Sequence, residues 1–314
     1  VDSGAPTFYN KFVRVNKNSG QMGATIADRK YDDFSFLKTE GYLNYRQDYC
    51  DYLIKHQDKF KIYANFDIIN NAEETWKNQK WFEERGLKPI PVFHFGSDIK
   101  WLQKYIEEGY DYIAVGGLIP NSFKVLKEPL DQLWLNYLTD SKGFPIIKVH
   151  GFAVTSPRLI HRYPWYSVDS TSWVKFGMYG SIVMPKQRNG KPDYERTPSV
   201  LFVSVRSPQK DKIDQHIDTL SDVERAKVLR YIEGKGFKLG KSEVIKKEVG
   251  YKAEEGEFVV KRELDHFLIE RVIEKGVSND NVMRDTLNAM YYQDLGRSAP
   301  DWPWAVKFKK TGFF

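Results

Sequence analysis

From about Lys61 onward, the chain alternates between short apolar runs and longer amphipathic stretches. The apolar runs cover residues 62–67, 90–95, 112–117, 146–151 and 165–169. The amphipathic stretches cover residues 73–85, 98–108 and 130–139, and a glycine follows each of them closely. Glycine just past a helical pattern is a common helix C-terminal signal. Strand, helix and strand joined by short connections predict right-handed βαβ units and a parallel sheet.

The number of these units favours a TIM-type (β/α)8 barrel over a doubly wound sheet. Val1-Asp2 is interpreted as the end of an earlier strand, and residues 181–184 and 200–204 as further strands. No GxGxxG turn follows a strand, so nothing in the pattern indicates a dinucleotide site. Residues 6–35 are polar and contain glycine, which predicts a long loop over the strand ends.

The character of the chain changes at about Ser207. Residues 211–235, 261–275 and 279–295 are charged, with narrow apolar stripes that predict three helices. We therefore expect a barrel domain over residues 1–206 and a helical C-terminal region over residues 207–314 that packs on the barrel. The aromatic and basic tail from Trp302 is expected to dock onto the body of the fold.

Composition limits the classes of partner. The 314 residues carry a net charge of +6 with 15% aromatic residues, which suits nucleic acid, although many basic proteins bind none. No apolar run approaches the roughly 18 residues that span a bilayer. The single cysteine, Cys50, excludes an internal disulfide and a multi-cysteine zinc site. A cytoplasmic location is expected. Because the chain opens with Val rather than Met, we also expect that a segment precedes Val1.

Polar residues recur where the expected strands end, which is where barrel enzymes keep their chemistry. The residues at these ends are Asp2, Asp67, His94, Gly116, Gly117, His150, Gly151 and Asp169. Each has a simpler interpretation alone, since an Asp can cap a helix and a lone His is often a core residue. Together they predict one pocket. In it, two carboxylates could supply the nucleophile and the acid/base group that break a glycosidic bond.

The same residues carry a family resemblance. The ordered motifs are Asp2-Ser3-Gly4, Phe66-Asp67, residues 92–96 (VFHFG), residues 114–118 (AVGGL), Gly151 to Thr155, and Asp169. This set, which spans about residues 1–171, resembles the tRNA-guanine transglycosylase superfamily. The run from His150 to Phe152, followed by residues 162–173 (RYPWYSVDSTSW), looks like its phage and bacterial branch, the DpdA-type DNA-guanine transglycosylases.

The resemblance implies a role for each matching residue. Asp169 would attack the sugar C1′ and expel guanine, and Asp2 would act as general acid/base. Asp67 would accept hydrogen bonds from the base, and His94 stands where the tRNA enzymes usually carry glutamine. The implied base-binding set is Ser3, Asp67, His94, Gly116, Gly117, Leu118 and His150. Four rings could stack on a flipped base or fill the gap it leaves: Phe8, Tyr9, Trp165 and Trp173. For the two tryptophans the alternative is packing in the core.

Besides His94, the chain departs from the tRNA enzymes at Ala5-Pro6-Thr7, which replaces the usual Gly-Phe-Gln, and in its lack of a zinc site. They carry a structural zinc on a cysteine-rich motif that helps to dock tRNA, and this chain has only Cys50. We therefore expect no metal or other cofactor, DNA as the nucleic-acid partner, a 7-deazaguanine base as the second substrate, and a homodimer or accessory subunit. The alternatives are a tRNA-guanine transglycosylase, a silent nucleic-acid-binding subunit, and a metal-dependent barrel hydrolase using His94, His150 and Asp169.

Overall fold

The computed structural model describes residues 34–119, 121–207 and 209–307. They form a mixed α/β structure that divides into two compact units. The first unit takes the described residues up to Thr155, together with Arg162–Asp169 and those from Asp301. The second takes Ser156–His161 and Ser170–Pro300. The predicted boundary between a barrel domain and a C-terminal region, after residue 206, stays a prediction. The two compact units meet in the sequence after Thr155, His161, Asp169 and Pro300.

The first unit is built on a parallel sheet whose strand order follows the chain. Its strands are β1 (Val92–His94), β2 (Tyr112–Gly116), β3 (Lys148–Gly151) and β4 (Ser167–Val168). A parallel bridge between Ala64 and Ile90 extends the pairing by one further segment. The five apolar runs of the sequence are thus confirmed as neighbouring parallel segments.

Helices alternate with these strands, as the amphipathic stretches predict. They are α1 (Glu40–Lys55), α2 (Ala72–Glu83), α3 (Lys100–Glu107) and α4 (Phe123–Leu133), with 3-10 and π turns at Ser35–Lys38 and Trp134–Leu138. The stretch expected over 130–139 begins earlier, at Phe123. Helix α5 (Pro157–Arg162) lies at the boundary of the two units.

The sheet is buried on both faces. Ile113, Val115 and Val149 are fully buried on one face, and Ala114 is fully buried on the other. Burial on both sides explains why the strands are continuous apolar runs rather than alternating ones, as parallel sheets require. Only polar residues at the strand ends can reach a ligand in such a structure.

The second unit contains the rest of the chain and is mostly antiparallel. Its helices are α6 (Ser172–Met178), α7 (Asp222–Gly234) and α8 (Asn281–Ser298), with a 3-10 turn at Ile217–Thr219. Its strands are β5 (Ser181–Met184), β6 (Lys186–Arg188), β7 (Lys191–Asp193), β8 (Ser199–Phe202), β9 (Lys241–Lys247), β10 (Glu257–Arg262) and β11 (Phe267–Glu274). Strands pair as β5 with β8, β6 with β7, and β10–β11–β9.

Two predictions for this region are wrong. Residues 261–275 are not a helix, because β10 ends at Arg262 and β11 then pairs antiparallel with both β10 and β9. The C-terminal region is therefore helical only in part. Residues 181–184 form β5 and residues 200–202 lie in β8, but these two strands pair antiparallel with each other rather than joining the parallel sheet. Within the described part of the chain, no helix is both long and apolar enough to cross a membrane.

We expect Gly151→Ala, at the end of β3, to destabilise the first unit. An added Cβ would lie 2.7 Å from Cγ2 of Val154 and 3.0 Å from the Trp165 ring. Overpacking of a closely packed core costs about 1–3 kcal/mol, and urea denaturation would measure the loss.

Gly296→Ala is the matched control for this change. Gly296 lies within α8, and nothing surrounds its Cβ position within 4 Å. Because alanine favours a helix over glycine by about 0.5–1 kcal/mol, this variant should be neutral or more stable. Equal losses in the two variants would contradict the packing described for Gly151.

Candidate functional site

The C-terminal ends of all four parallel strands lie along one edge of the sheet. The register pairs His94 with Gly116, and Gly151 with both Val115 and Val168. Ligand sites of parallel α/β folds lie at the carboxyl ends of the strands. The structure therefore brings the described strand-end residues of the sequence prediction, from Asp67 to Asp169, to one edge of the sheet.

Most of the polar side chains also share a face. Ala114 pairs with His150, and His150 pairs with Ser167, so these positions are level on neighbouring strands. Because side chains alternate along a strand, Tyr112 lies on the same face as Ala114. Ala114 itself is fully buried between these larger groups.

Buried His94 and partly buried Asp67 form a pair at this edge. His94 Nε2 lies 2.7 Å from Asp67 Oδ2, and since an ionised carboxylate only accepts, the imidazole donates. Asp67 does not cap α2, because Asn71 accepts the N–H of Glu74 at the first turn. The His94 side chain is only 5% exposed, and its Nδ1 has no partner among the described residues. A ligand group at Nδ1 would satisfy this nitrogen.

Asp169 directly follows β4 and is held by the turn after β3. Its Oδ1 accepts the Ala153 N–H at 2.7 Å and faces His150 Nε2 at 3.7 Å. Ala153 has a φ of 56°, a left-handed conformation that costs a non-glycine residue about 1–3 kcal/mol. The turn thus holds an unfavourable backbone conformation at the point where its N–H meets the carboxylate.

This environment keeps Asp169 ionised. Burial acts to raise the pKa of the Asp169 carboxyl, but the His150 imidazole and the Ala153 N–H outweigh it. The pKa therefore lies below its usual value of about 3.9. An anionic carboxylate that is half exposed at a strand end suits a nucleophile or an electrostatic stabiliser of positive charge.

His150 is the centre of a short polar network. Its Nδ1 lies 2.6 Å from Ser167 Oγ, which lies 2.6 Å from the Tyr112 hydroxyl. The ring also packs edge-on against Phe152, with 4.8 Å between centroids. Both ring nitrogens of His150 therefore face protein groups rather than the open edge.

The glycines at the end of β2, Gly116 and Gly117, permit a close approach of backbone. Gly117 has a φ of 75°, which favours glycine, and a Cβ there would lie 3.4 Å from the Phe95 nitrogen. A Cβ on Gly116 would lie 3.3 Å from Cδ2 of His94. Leu118 is buried, so only its backbone could contact a ligand.

Other candidates lie elsewhere. Trp165 is buried and packs edge-on against Trp134 and Tyr163, so core packing accounts for it and stacking on a base is not supported. Trp173 lies in α6 of the second unit. The remaining candidates fall outside the described residues, namely Asp2, Ser3, Phe8 and Tyr9.

Sequence reasoning missed Tyr112 and Ser167. Ser167 lies two residues before Asp169, and Tyr112 lies two before Ala114, so strand alternation places each on the site face. Among the described residues, no group of three or more His, Cys, Asp or Glu side chains could hold a metal ion. The Asp67–His94 and His150–Asp169 contacts are two-residue pairs.

No family model, curated protein or solved structure matches the chain. Its function is therefore inferred from its own residues and their geometry.

Proposed function

We propose that this chain is a DNA-guanine transglycosylase that exchanges guanine in DNA for a 7-deazaguanine base such as 7-cyano-7-deazaguanine. The observation that carries the proposal is Asp169, an ionised carboxylate at the C-terminal edge of a parallel sheet. The Asp67–His94 pair at the same edge supports it, because a purine-like base offers donors for a carboxylate.

The reaction is a double displacement. A carboxylate oxygen of Asp169 attacks C1′, the C1′–N9 bond breaks, and its electron pair leaves with guanine, which takes up a proton. The resulting glycosyl ester is then attacked at C1′ by N9 of the incoming base, which loses its proton and releases the carboxylate. No oxidant or other co-reactant is required. Asp2, the acid/base group that the resemblance implies, lies outside the described residues.

Other groups along the same edge of the sheet suit recognition of the base. Asp67 would accept hydrogen bonds from the base edge, and Nδ1 of His94, which has no partner in the described part of the chain, would contact a polar group of the base. Backbone N–H groups of Gly117 and Leu118 would donate to its carbonyl oxygen, for which the lack of a Cβ at Gly117 gives room. The N–H of Gly116 faces β1 in the parallel ladder, so it does not take the base-binding role that the resemblance implies.

For the fold, we propose that the parallel sheet belongs to a (β/α)8-type barrel. Five successive parallel segments with intervening helices support this, as does the location of polar residues at a single edge. The strand expected at Val1-Asp2 would add to this sheet. Strands β5 and β8 are antiparallel and lie in the second unit, so they do not supply the remaining barrel strands.

DNA is the favoured nucleic acid because the zinc site of the tRNA enzymes does not fit this chain. The single cysteine, Cys50, is fully buried in an apolar cluster around α1, with Tyr42, Leu53 and Phe66 among its members. The chain has no second cysteine that could bind zinc together with Cys50, and the residues packed around this thiol are apolar. We propose a cytoplasmic location for the reaction, which suits a protein with one reduced cysteine.

Base exchange with radiolabelled guanine tests this function, on duplex DNA and unmodified tRNA in parallel, with 7-cyano-7-deazaguanine as competitor. We expect label to enter DNA but not tRNA, and the competitor to block its entry. Entry into tRNA alone would keep the chemistry and overturn the DNA assignment. No entry into either would overturn the proposed enzyme and favour the nucleic-acid-binding subunit.

A further inference from the structure

A line of hydrogen bonds crosses three adjacent strands behind the candidate nucleophile. It runs from the Tyr112 hydroxyl on β2 to Ser167 Oγ on β4, and from there to His150 Nδ1 on β3, with 2.6 Å at each step. On the other side of the imidazole, Nε2 faces Asp169 Oδ1 at 3.7 Å. The three side chains therefore connect the sheet interior to the carboxylate.

One order of the protons in this line directs an N–H toward Asp169. Burial raises the pKa of the Tyr112 hydroxyl, so the hydroxyl keeps its proton, and in this order it donates that proton to Ser167 Oγ. Ser167 has a single proton, which it then gives to His150 Nδ1. A neutral imidazole that accepts at Nδ1 carries its proton on Nε2. That N–H points toward Asp169.

We propose that Tyr112, Ser167 and His150 form a positioning relay that fixes the Nε2–H tautomer of His150 and thereby orients the Asp169 carboxylate. The inference rests on the proposed function, in which Asp169 is the nucleophile. Oδ1 is held by the Ala153 N–H and His150, whereas Oδ2 has no partner among the described residues. Oδ2 is therefore the oxygen that attacks C1′.

This assignment changes the role expected for His150. The resemblance implies contact with the base, but both ring nitrogens already face Ser167 and Asp169. His150 is a positioning residue that acts through Asp169. The 3.7 Å separation is longer than a hydrogen bond, and contacts of this kind often shorten when substrate binds.

Few other titratable groups contact the relay. Tyr166 packs edge-on against Tyr112 with 5.2 Å between centroids, and the Lys148 ammonium lies 5.4 Å from the centre of the Tyr166 ring. The Tyr166 hydroxyl has no hydrogen-bond partner among the described residues. Tyr166→Phe is therefore a matched control for Tyr112→Phe, because each removes one hydroxyl from neighbouring rings.

The first test needs no substrate. The protein is labelled with ¹⁵N-histidine, which marks all six of its histidines. The NMR signals of His150 are assigned as those that disappear in His150→Gln. We expect the Nε2–H tautomer in the wild-type protein. Ser167→Ala should remove the preference, Tyr112→Phe should weaken it, and Ser167→Thr and Tyr166→Phe should retain it. An Nδ1–H tautomer in the wild type, or no change in Ser167→Ala, would overturn the relay.

The second test is the pH profile of adduct formation with DNA. In Ser167→Ala, the Nε2–H of His150 is no longer oriented toward Asp169, and the pKa of the Asp169 carboxyl should rise. Fewer Asp169 carboxylates are then ionised at low pH, so the acidic limb of the rate profile should move to higher pH. A shift of one pH unit lowers the rate on that limb about tenfold. Ser167→Thr should restore the profile. A uniform rate loss without a shift would indicate a merely structural role and overturn the proposal.

The two tests separate the relay from the enzyme. If the wild-type protein forms no adduct with DNA or tRNA, the proposed function fails, and the tautomer measurement alone then decides whether Ser167 orients His150 toward Asp169. If adduct forms but the tautomer does not depend on Ser167, the relay fails while the proposed function stands.

Discussion

Replacing Asp169 with asparagine is expected to lower base exchange at least about a thousandfold, as loss of a covalent nucleophile does in other enzymes. The amide has nearly the same shape and can still accept the Ala153 N–H, which the carboxylate accepts at 2.7 Å. It carries no negative charge, however, and therefore cannot form the glycosyl ester. The initial rate of labelled guanine incorporation into DNA would measure the effect.

Asp111→Asn is the matched control. Asp111 directly precedes β2, at the opposite edge of the same sheet, and its side chain is 90% exposed. Its contact with Lys148 is 3.9 Å long and contributes little at the surface. Exchange should be unchanged in this variant. Loss of exchange in Asp169→Asn together with a lower unfolding midpoint would indicate damage to the fold instead of missing chemistry.

The largest expected effect on stability is at Arg284, in the second unit. Its guanidinium is 1% exposed and donates to the carbonyls of Gly177 at 3.0 Å and Val277 at 2.7 Å, and to the side chain of Asn281. Burial, together with the positive charge of Arg206, lowers the pKa of Arg284 to about 10, so the group remains charged at neutral pH.

Arg284→Ala should lower the free energy of unfolding by about 3–5 kcal/mol, because it leaves buried carbonyls without donors and opens a cavity. Arg297→Ala on the same helix should lower it by less than about 1 kcal/mol. Arg297 is 70% exposed and only contacts Asp294 at 3.9 Å. Urea denaturation monitored by circular dichroism compares the two. Similar losses would contradict the structural role of Arg284.

The parallel sheet was predictable because its signals are local. Each strand is an apolar run, and the glycines Gly86 and Gly109 closely follow α2 and α3. Since parallel strands present their carboxyl ends at one edge, the shared location of His94 and Asp169 also followed from the sequence. The contact between Asp67 and His94 could not be predicted in this way, because no local signal in the sequence sets the distance between these two side chains.

The second unit was less predictable because its pairing is not local. Residues 261–275 have apolar residues at helical spacing, such as Leu264, Phe267 and Leu268, yet β11 is set by pairing with β9, more than twenty residues earlier. The turn at Glu263, whose N–H donates to the His266 carbonyl, ends β10 and reverses the chain. Tertiary pairing overrides such a periodic pattern.

The relay partners of His150 were missed for a related reason. Ser167 and Tyr112 have ordinary roles in a strand, and only the register of β2, β3 and β4 brings them to the imidazole. Their importance depends on hydrogen bonds at 2.6 Å between residues 17 and 55 positions apart in the chain.

The most direct test of the account is to locate the covalent intermediate. The protein is mixed with duplex DNA without an incoming base, denatured in acid, treated with nuclease and protease, and its peptides are mapped by mass spectrometry. We predict an alkali-labile deoxyribosyl ester on Asp169, and its absence in Asp169→Asn. An ester on a different carboxylate, or base exchange with Asp169 never modified, would contradict the role of Asp169 as nucleophile.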